Sequence, residues 1–211
     1  MSRIICLQCQ RPQSVCVCDW ITPIANVVEV GVFQHPTEAM QVKGTAKLVA
    51  LSLSQVQLWV GERLSDVPEL EAWLDCAQQQ HKTVLLLYPP TETSVETPSQ
   101  PTQPLINIAD LCGLTQAQLS QLCVLVLDGT WRKTHKMLCL NPRLAALTRL
   151  QIEPNTPSNY RIRKQKNAQS LSTVEAVVQV LSTLENAPQR YTPLLQAFNA
   201  MVQQQWQFRV R

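Results

Sequence analysis

The sequence predicts an α/β domain with a mostly parallel sheet, preceded by a small cysteine-rich head. Three observations carry that reading. Short aliphatic or β-branched runs alternate with segments of helical periodicity, the pattern of strand–helix–strand units. The run "VLVL" at 124–127 is apolar without alternation, as in strands covered on both faces. Cys6, Cys9, Cys16 and Cys18 all precede the first such run. A chain of 211 residues accommodates one sizeable domain and an appendage, divided as 1–22 for the head and 23–211 for the α/β domain.

The head, "CLQCQRPQSVCVC", spaces its cysteines as C-x2-C-x6-C-x-C. A thiolate pair two residues apart grips one side of a tetrahedral ion, and Pro12 helps the chain turn so that a second pair can close the other side. The set suits a closed structural Zn2+ site, and nothing else in the sequence points to the redox chemistry of an iron–sulfur cluster. Reduced thiols in a flexible tail are the plainer alternative. Strands are expected at "VVEVGVF" (27–33), "VQLWV" (56–60), "TVLLLY" (83–88), "CVLVLD" (123–128) and, more weakly, "LTRLQI" (147–152). Helical patterns lie between them at 45–54, 68–80 and 115–122. Residues 89–104, with five prolines, read as an irregular loop.

Two helices close the chain. In 172–186, Val174, Val177, Val178, Leu181 and Leu184 share a face with Leu171, and Ser172 with Glu175 is spaced as a capping box. In 193–206, Leu194, Leu195, Phe198, Met201 and Val202 do the same, with Thr192 placed as N-cap and Pro193 at the first helical position. The scattered Cys76, Cys112, Cys123 and Cys139 sit in apolar surroundings and read as core positions, and His81 as surface.

Composition narrows the function classes. The chain is 45% hydrophobic and 16% charged, ordinary for a globular protein and unlike a disordered one. No apolar run approaches a membrane span, and the N-terminus turns polar and Cys-rich without an apolar leader segment. The expected setting is the cytoplasm, where thiols stay reduced and cysteines serve metals before disulfides. The net charge of +3 hides a division. Residues 1–130 carry 12 Asp/Glu against 6 Lys/Arg, whereas 131–211 carry 3 against 12. Between 131 and 166 nine Lys/Arg face one acid, Glu153. Such a split favours a polyanionic partner, nucleic acid, over a merely solvated basic face.

The stretch "VLVLDGTWRKTHKM" (124–137) joins these threads. Its strand ends in Asp128, followed by Gly129, Thr130, Trp131 and then Arg132, Lys133, His135 and Lys136. Ligands of α/β enzymes bind beyond the carboxyl ends of strands, so an acid there is placed for chemistry. An Asp capping the next helix is the bland alternative, but it leaves the ring and the cations unexplained. A carboxylate to take a proton from a nucleobase, a ring to stack on it and cations for its phosphates form one constellation.

"DGTW" at 128–131 resembles the D-x-T-W signature of the DTW-domain proteins. The head is similar to that family's N-terminal cysteine cluster. "HPTEAMQVKGTAKLVALSL" (35–53) resembles its H-P-x-E block, and "YRIRKQKNAQSLSTVEAV" (160–177) its Y-x-x-R-K and L-S-T-x-E-A block. The blocks follow in order over nearly the whole chain. "KGTAKL" departs from the N-T-G of some members, which leaves the role of Lys43 to Thr45 open.

The resemblance implies a SPOUT-related fold whose C-terminal topological knot holds S-adenosylmethionine. It also implies transfer of the 3-amino-3-carboxypropyl (acp) group to N3 of a tRNA uridine, giving acp3U and methylthioadenosine. Asp128 is then the expected base and Trp131 its companion in catalysis. Leu127, Gly129, Thr130, Leu171, Ser172, Thr173 and Glu175 are the expected cofactor contacts. His35, Glu38, Arg132, Lys133, His135, Arg161, Arg163 and Lys164 are the expected substrate contacts. A packed histidine at 35 and a plain helix cap at 175 stand beside those roles. Several aminocarboxypropyl relatives act as monomers, and a monomer is expected here. The rivals are a SPOUT methyltransferase, moving the methyl of the same donor, and a zinc-ribbon module that binds nucleic acid without catalysis.

Overall fold

The computed structural model describes residues 4–41, 43–89, 104–152 and 171–207. Six strands form one all-parallel sheet: β1 (Glu29–Gln34), β2 (Val56–Val60), β3 (Thr83–Leu87), β4 (Leu105–Asn107), β5 (Leu122–Asp128) and β6 (Thr148–Gln151). Their order is β2-β1-β5-β3-β6-β4. The five expected strands are present within two residues of their predicted bounds, and β4 is an addition too short to show periodicity. Among the described residues the helices are α1 (Pro36–Ala39), α2 (Ala46–Ser52), α3 (Pro68–Gln79), α4 (Gln116–Leu119), α5 (Trp131–Leu140), α6 (Pro142–Ala145), α7 (Thr173–Leu184) and α8 (Thr192–Gln207). The expected loop at 89–104 lies outside the described residues save for Pro89 and Pro104.

β5 is central, and all seven of its residues are buried. Its side chains alternate between two cores. Val124 and Val126 face a cluster with Val30 and Val32 of β1, Leu48 of α2, Val177 and Leu181 of α7 and Phe198 of α8. Cys123, Leu125 and Leu127 face Phe33, Leu86, Leu70 of α3, Met137 of α5 and Leu144 of α6. This arrangement accounts for the unbroken apolar run: there is no wet face to alternate toward. Gly31 lets Trp59 and Trp73 pack across β1, since a Cβ there would lie 3.0 Å from Trp59 and 3.1 Å from Leu125. Cys9 and Val17 of the head join the first of these cores.

Some local expectations change. The pattern at 115–122 yields only the single turn of α4, because Leu122 already pairs in β5. Thr192 is not a non-helical N-cap. A 3₁₀ turn at Pro188–Tyr191 feeds straight into α8, and Thr192 has helical φ −53° and ψ −42°. Cys123 is buried, as expected, whereas Cys76, Cys112 and Cys139 are exposed. Residue type alone does not reveal that their helix or turn faces water. Ser172 does cap α7: its Oγ accepts from Glu175 N at 3.3 Å while Glu175 Oε2 accepts from Ser172 N at 2.8 Å.

Candidate active site and metal centre

The chain leaving β1 crosses to β2 on one side, and the chain leaving β5 crosses to β6 on the other. The carboxyl ends of β1 and β5 therefore bound the crevice where open parallel sheets bind ligands. In the β1–β5 register the last pair is Gln34 with Asp128. Both side chains are nearly closed off from solvent, at 5% and 6% exposure. Gln34 Nε2 donates to Asp128 Oδ2 at 2.8 Å. Thr173 Oγ1, from the first residue of α7, donates to Asp128 Oδ1. The backbone N–H of His35 donates to the Asp128 carbonyl at 2.9 Å, tying the two strand ends together.

The N-cap of α5 is Thr130, whose carbonyl accepts from Thr134 N at 2.9 Å. Gly129 sits tightly against this turn: a Cβ there would meet Thr134 at 3.2 Å, Lys133 at 3.3 Å and His35 at 3.7 Å. The turn projects Trp131 outward, 52% exposed. Its edge rests on Tyr88, with centroids 5.8 Å apart at 73°. Arg149 of β6 covers the same Tyr88 ring at 5.5 Å. A buried carboxylate, a half-exposed aromatic ring and a guanidinium thus lie at the carboxyl edge of the sheet.

At the head, Cys6 and Cys18 bring their sulfurs to 3.6 Å, and Cys9 and Cys16 to 3.7 Å. The ligand atoms of all four lie within 4.8 Å of one another. A tetrahedral ion with metal–sulfur bonds of about 2.3 Å sets its sulfurs roughly 3.8 Å apart. The donor set fits one such ion. Backbone N–H groups of Cys9 and Gln8 pull the Cys6 thiol down to about 6, while desolvation and the neighbouring thiols push Cys18 up to about 12. Thiols this close do not all ionise without a cation between them. Gln10, in the turn between the cysteine pairs, holds a left-handed φ of 59°, a conformation that persists where surroundings over-determine it.

The profile of the DTW domain matches residues 3–206. The chain belongs to the DTW-domain family. Among curated proteins it is similar to "tRNA-uridine aminocarboxypropyltransferase 2" of Macaca fascicularis, 26% identical over 200 residues, covering 93% of this chain and 61% of the relative. The protein of the same name from Mus musculus is 26% identical over 184 residues, 85% and 56% of the two chains. That of Drosophila melanogaster is 27% identical over 207 residues, 95% and 74%. The chain thus spans about three fifths of the length of the two mammalian relatives. No solved structure matches it.

In this DTW protein the predicted residues divide into groups. Asp128 and Thr173 meet at the crevice, Gly129 and Thr130 lead from Asp128 to Trp131 at the start of α5, and Leu171 and Ser172 lead into α7. The expected cofactor contact Leu127 is instead packed in the second core. Glu175 serves the capping box. His35 caps α1: its Nδ1 accepts from Thr37 N at 3.3 Å, and its Nε2 lies 3.2 Å from Glu62. Glu38, 3% exposed, pairs with Lys133 at 2.8 Å. Lys136 pairs with Glu62 at 2.9 Å and holds that carboxyl below its usual range. His135 turns toward Cys139, at 3.7 Å. Arg132 is exposed and makes no ion pair among the described residues. Arg161, Arg163 and Lys164 lie outside the described residues. Sequence reasoning missed Gln34, Glu62, Tyr88 and Arg149. Tyr88 was at hand as the last residue of "TVLLLY" and Arg149 as a cation inside "LTRLQI"; Gln34 and Glu62 carried no signal without the strand register.

Proposed function

We propose that this protein transfers the 3-amino-3-carboxypropyl group of S-adenosylmethionine to N3 of a tRNA uridine, forming acp3U and releasing methylthioadenosine. The observation that carries this reading is the Asp128 carboxylate, 6% exposed, in the β1–β5 crevice beside the half-exposed ring of Trp131. Family membership and the names of the relatives supply the substrate class. When bound, the donor offers an electrophilic γ-carbon on a sulfonium, and the C–S electron pair departs with sulfur as a neutral thioether. The residues fit such a group in kind: polar side chains and backbone at Gly129, Thr130 and the start of α7 suit its amino acid end.

Asp128 takes the N3 proton, and the pair left on N3 makes the new C–N bond. Trp131 stacks on the uracil and holds N3 in line with the breaking bond, so most of the rate comes from positioning. Arg132 and Arg149 hold backbone phosphates, with Arg161, Arg163 and Lys164 serving phosphates or the acp carboxylate. Zn2+ in the four-cysteine head is structural. The carboxyl-terminal part of the chain carries a SPOUT-type knot. This is supported by Thr173 returning to β5 although the last strand before it among the described residues is β6, two strands away. Among the described residues no helix is long and apolar enough to cross a membrane. A cytoplasmic monomer is the working form.

Unmodified tRNA incubated with S-adenosylmethionine labelled in the methyl or in the methionine carboxyl tests this reading. Carboxyl label in RNA supports acp transfer; methyl label means methylation, and no label means binding alone. Asp128→Asn should keep fold and donor affinity while losing about 10²–10⁴-fold in single-turnover rate. A near-normal rate would remove the base.

A further inference from the structure

We propose that Gln34 is a positioning residue that fixes the Asp128 carboxylate as a neutral hydrogen-bond donor; this rests on the reading of Asp128 as base. Gln34 ends β1 in register with Asp128 and is 5% exposed. Burying a primary amide is unfavourable unless it is hydrogen-bonded, so a glutamine here calls for a partner. Its Nε2 donates to Asp128 Oδ2 at 2.8 Å, while Thr173 Oγ1 donates to Oδ1. A donor on each oxygen fixes the plane of the carboxylate.

The kind of donor matters as much as its place. An ammonium or guanidinium at position 34 would stabilise the charged carboxylate and weaken it as a base. An amide and a hydroxyl orient it at far smaller cost in basicity. Among the described residues the titratable groups around this point are His35 after β1, Lys133 on α5, Glu38 on α1 and Glu175 on α7. Glu38 is paired with Lys133 and Glu175 is engaged in the cap of α7, while His35 is held by Thr37 and Glu62. The Gln34 amide and the Thr173 hydroxyl that donate to the acid are both uncharged.

The test uses full-length protein and unmodified tRNA, with single-turnover rates measured across pH for Gln34→Met, Gln34→Glu and Asp128→Asn. Gln34→Met should lower the rate roughly 10- to 100-fold at every pH with both KM values within about twofold, the signature of lost alignment. Gln34→Glu, nearly isosteric, should work where the carboxyl pair shares one proton. It should then lose rate as pH rises through the raised upper pKa of that pair, a falling limb the wild type lacks. A merely structural glutamine would alter thermal stability and leave the shape of the pH profile unchanged. Gln34→Met at near-normal rate, or Gln34→Glu with the wild-type profile, overturns the positioning role while an inactive Asp128→Asn keeps the base. An active Asp128→Asn removes both.

Discussion

Replacing Trp131 with leucine separates stacking from packing. The ring is 52% exposed, and its buried edge lies against Tyr88. A tryptophan buries about 150–250 Å² when enclosed. Half of that, at about 25 cal/mol per Å², amounts to about 2–3 kcal/mol as an upper figure. Trp131→Ala forfeits much of this, which for a chain of this size lowers Tm by about 4–8 °C. Trp131→Leu keeps most of the apolar contact and should stay within a few degrees of wild type. What leucine cannot supply is a π-face. Stacking on a base is worth about 1–3 kcal/mol, so tRNA affinity should fall roughly 5- to 150-fold with leucine. Trp131→Phe should recover most of it, and S-adenosylmethionine affinity should stay level in all three. Thermal melts, tRNA binding by fluorescence anisotropy and donor binding by calorimetry give the three readouts. If Trp131→Leu binds tRNA within about twofold of wild type, the ring is packing alone. If only donor binding falls, it belongs to the adenosine.

Replacing Cys6, Cys9, Cys16 and Cys18 together with serine should abolish stoichiometric zinc and lower Tm, since Cys9 is part of the main core. An iron–sulfur absorbance band, or metal-free wild type purified reduced with zinc present, would refute the assignment. Arg132→Ala should flatten the log–log salt dependence of tRNA binding by about one unit without changing donor affinity. An unchanged slope makes Arg132 ordinary surface. Lys133 is the wrong residue for that experiment, because its ammonium is committed to the buried Glu38. Elsewhere, Glu29 accepts from Trp73 at 2.5 Å and from Lys82 at 3.1 Å. Desolvation opposes the charge on Glu29, but these donors win and its pKa is lowered; Glu29 in turn raises that of Lys82. The pair therefore stabilises the fold between the two titrations. That stability fades as acid protonates Glu29 and as alkali deprotonates Lys82. Lys82→Met should lower Tm between the two titrations, flatten its fall on the acid side and remove the alkaline one, and an unchanged Tm–pH curve would show the pair to be idle.

The strands were legible because burial on both faces demands runs such as "VLVL", and no other element tolerates them so well. The cysteine head was legible because tetrahedral geometry constrains spacing as well as residue type. Strand order was not, since parallel neighbours here are joined by crossovers that periodicity does not see. For the same reason Asp128 could be read as an acid at a strand end, but not Gln34 as its partner. Charge counting alone overstates the basic run. Lys133 and Lys136 are tied to Glu38 and Glu62, acids that come from the opposite end of the charge division. Pro36 starts the short α1, where its missing N–H costs nothing.

Gln34 and Thr173, which meet at Asp128, are strangers along the chain. Gln34 lies 94 residues before it and Thr173 lies 45 after. Closing those loops costs entropy that no local helix or turn repays, so their meeting belongs late in refolding. Activity regained after dilution from denaturant should therefore lag the return of helical circular dichroism. The proposed transfer would then serve as a clock for the β1–β5 pairing to close.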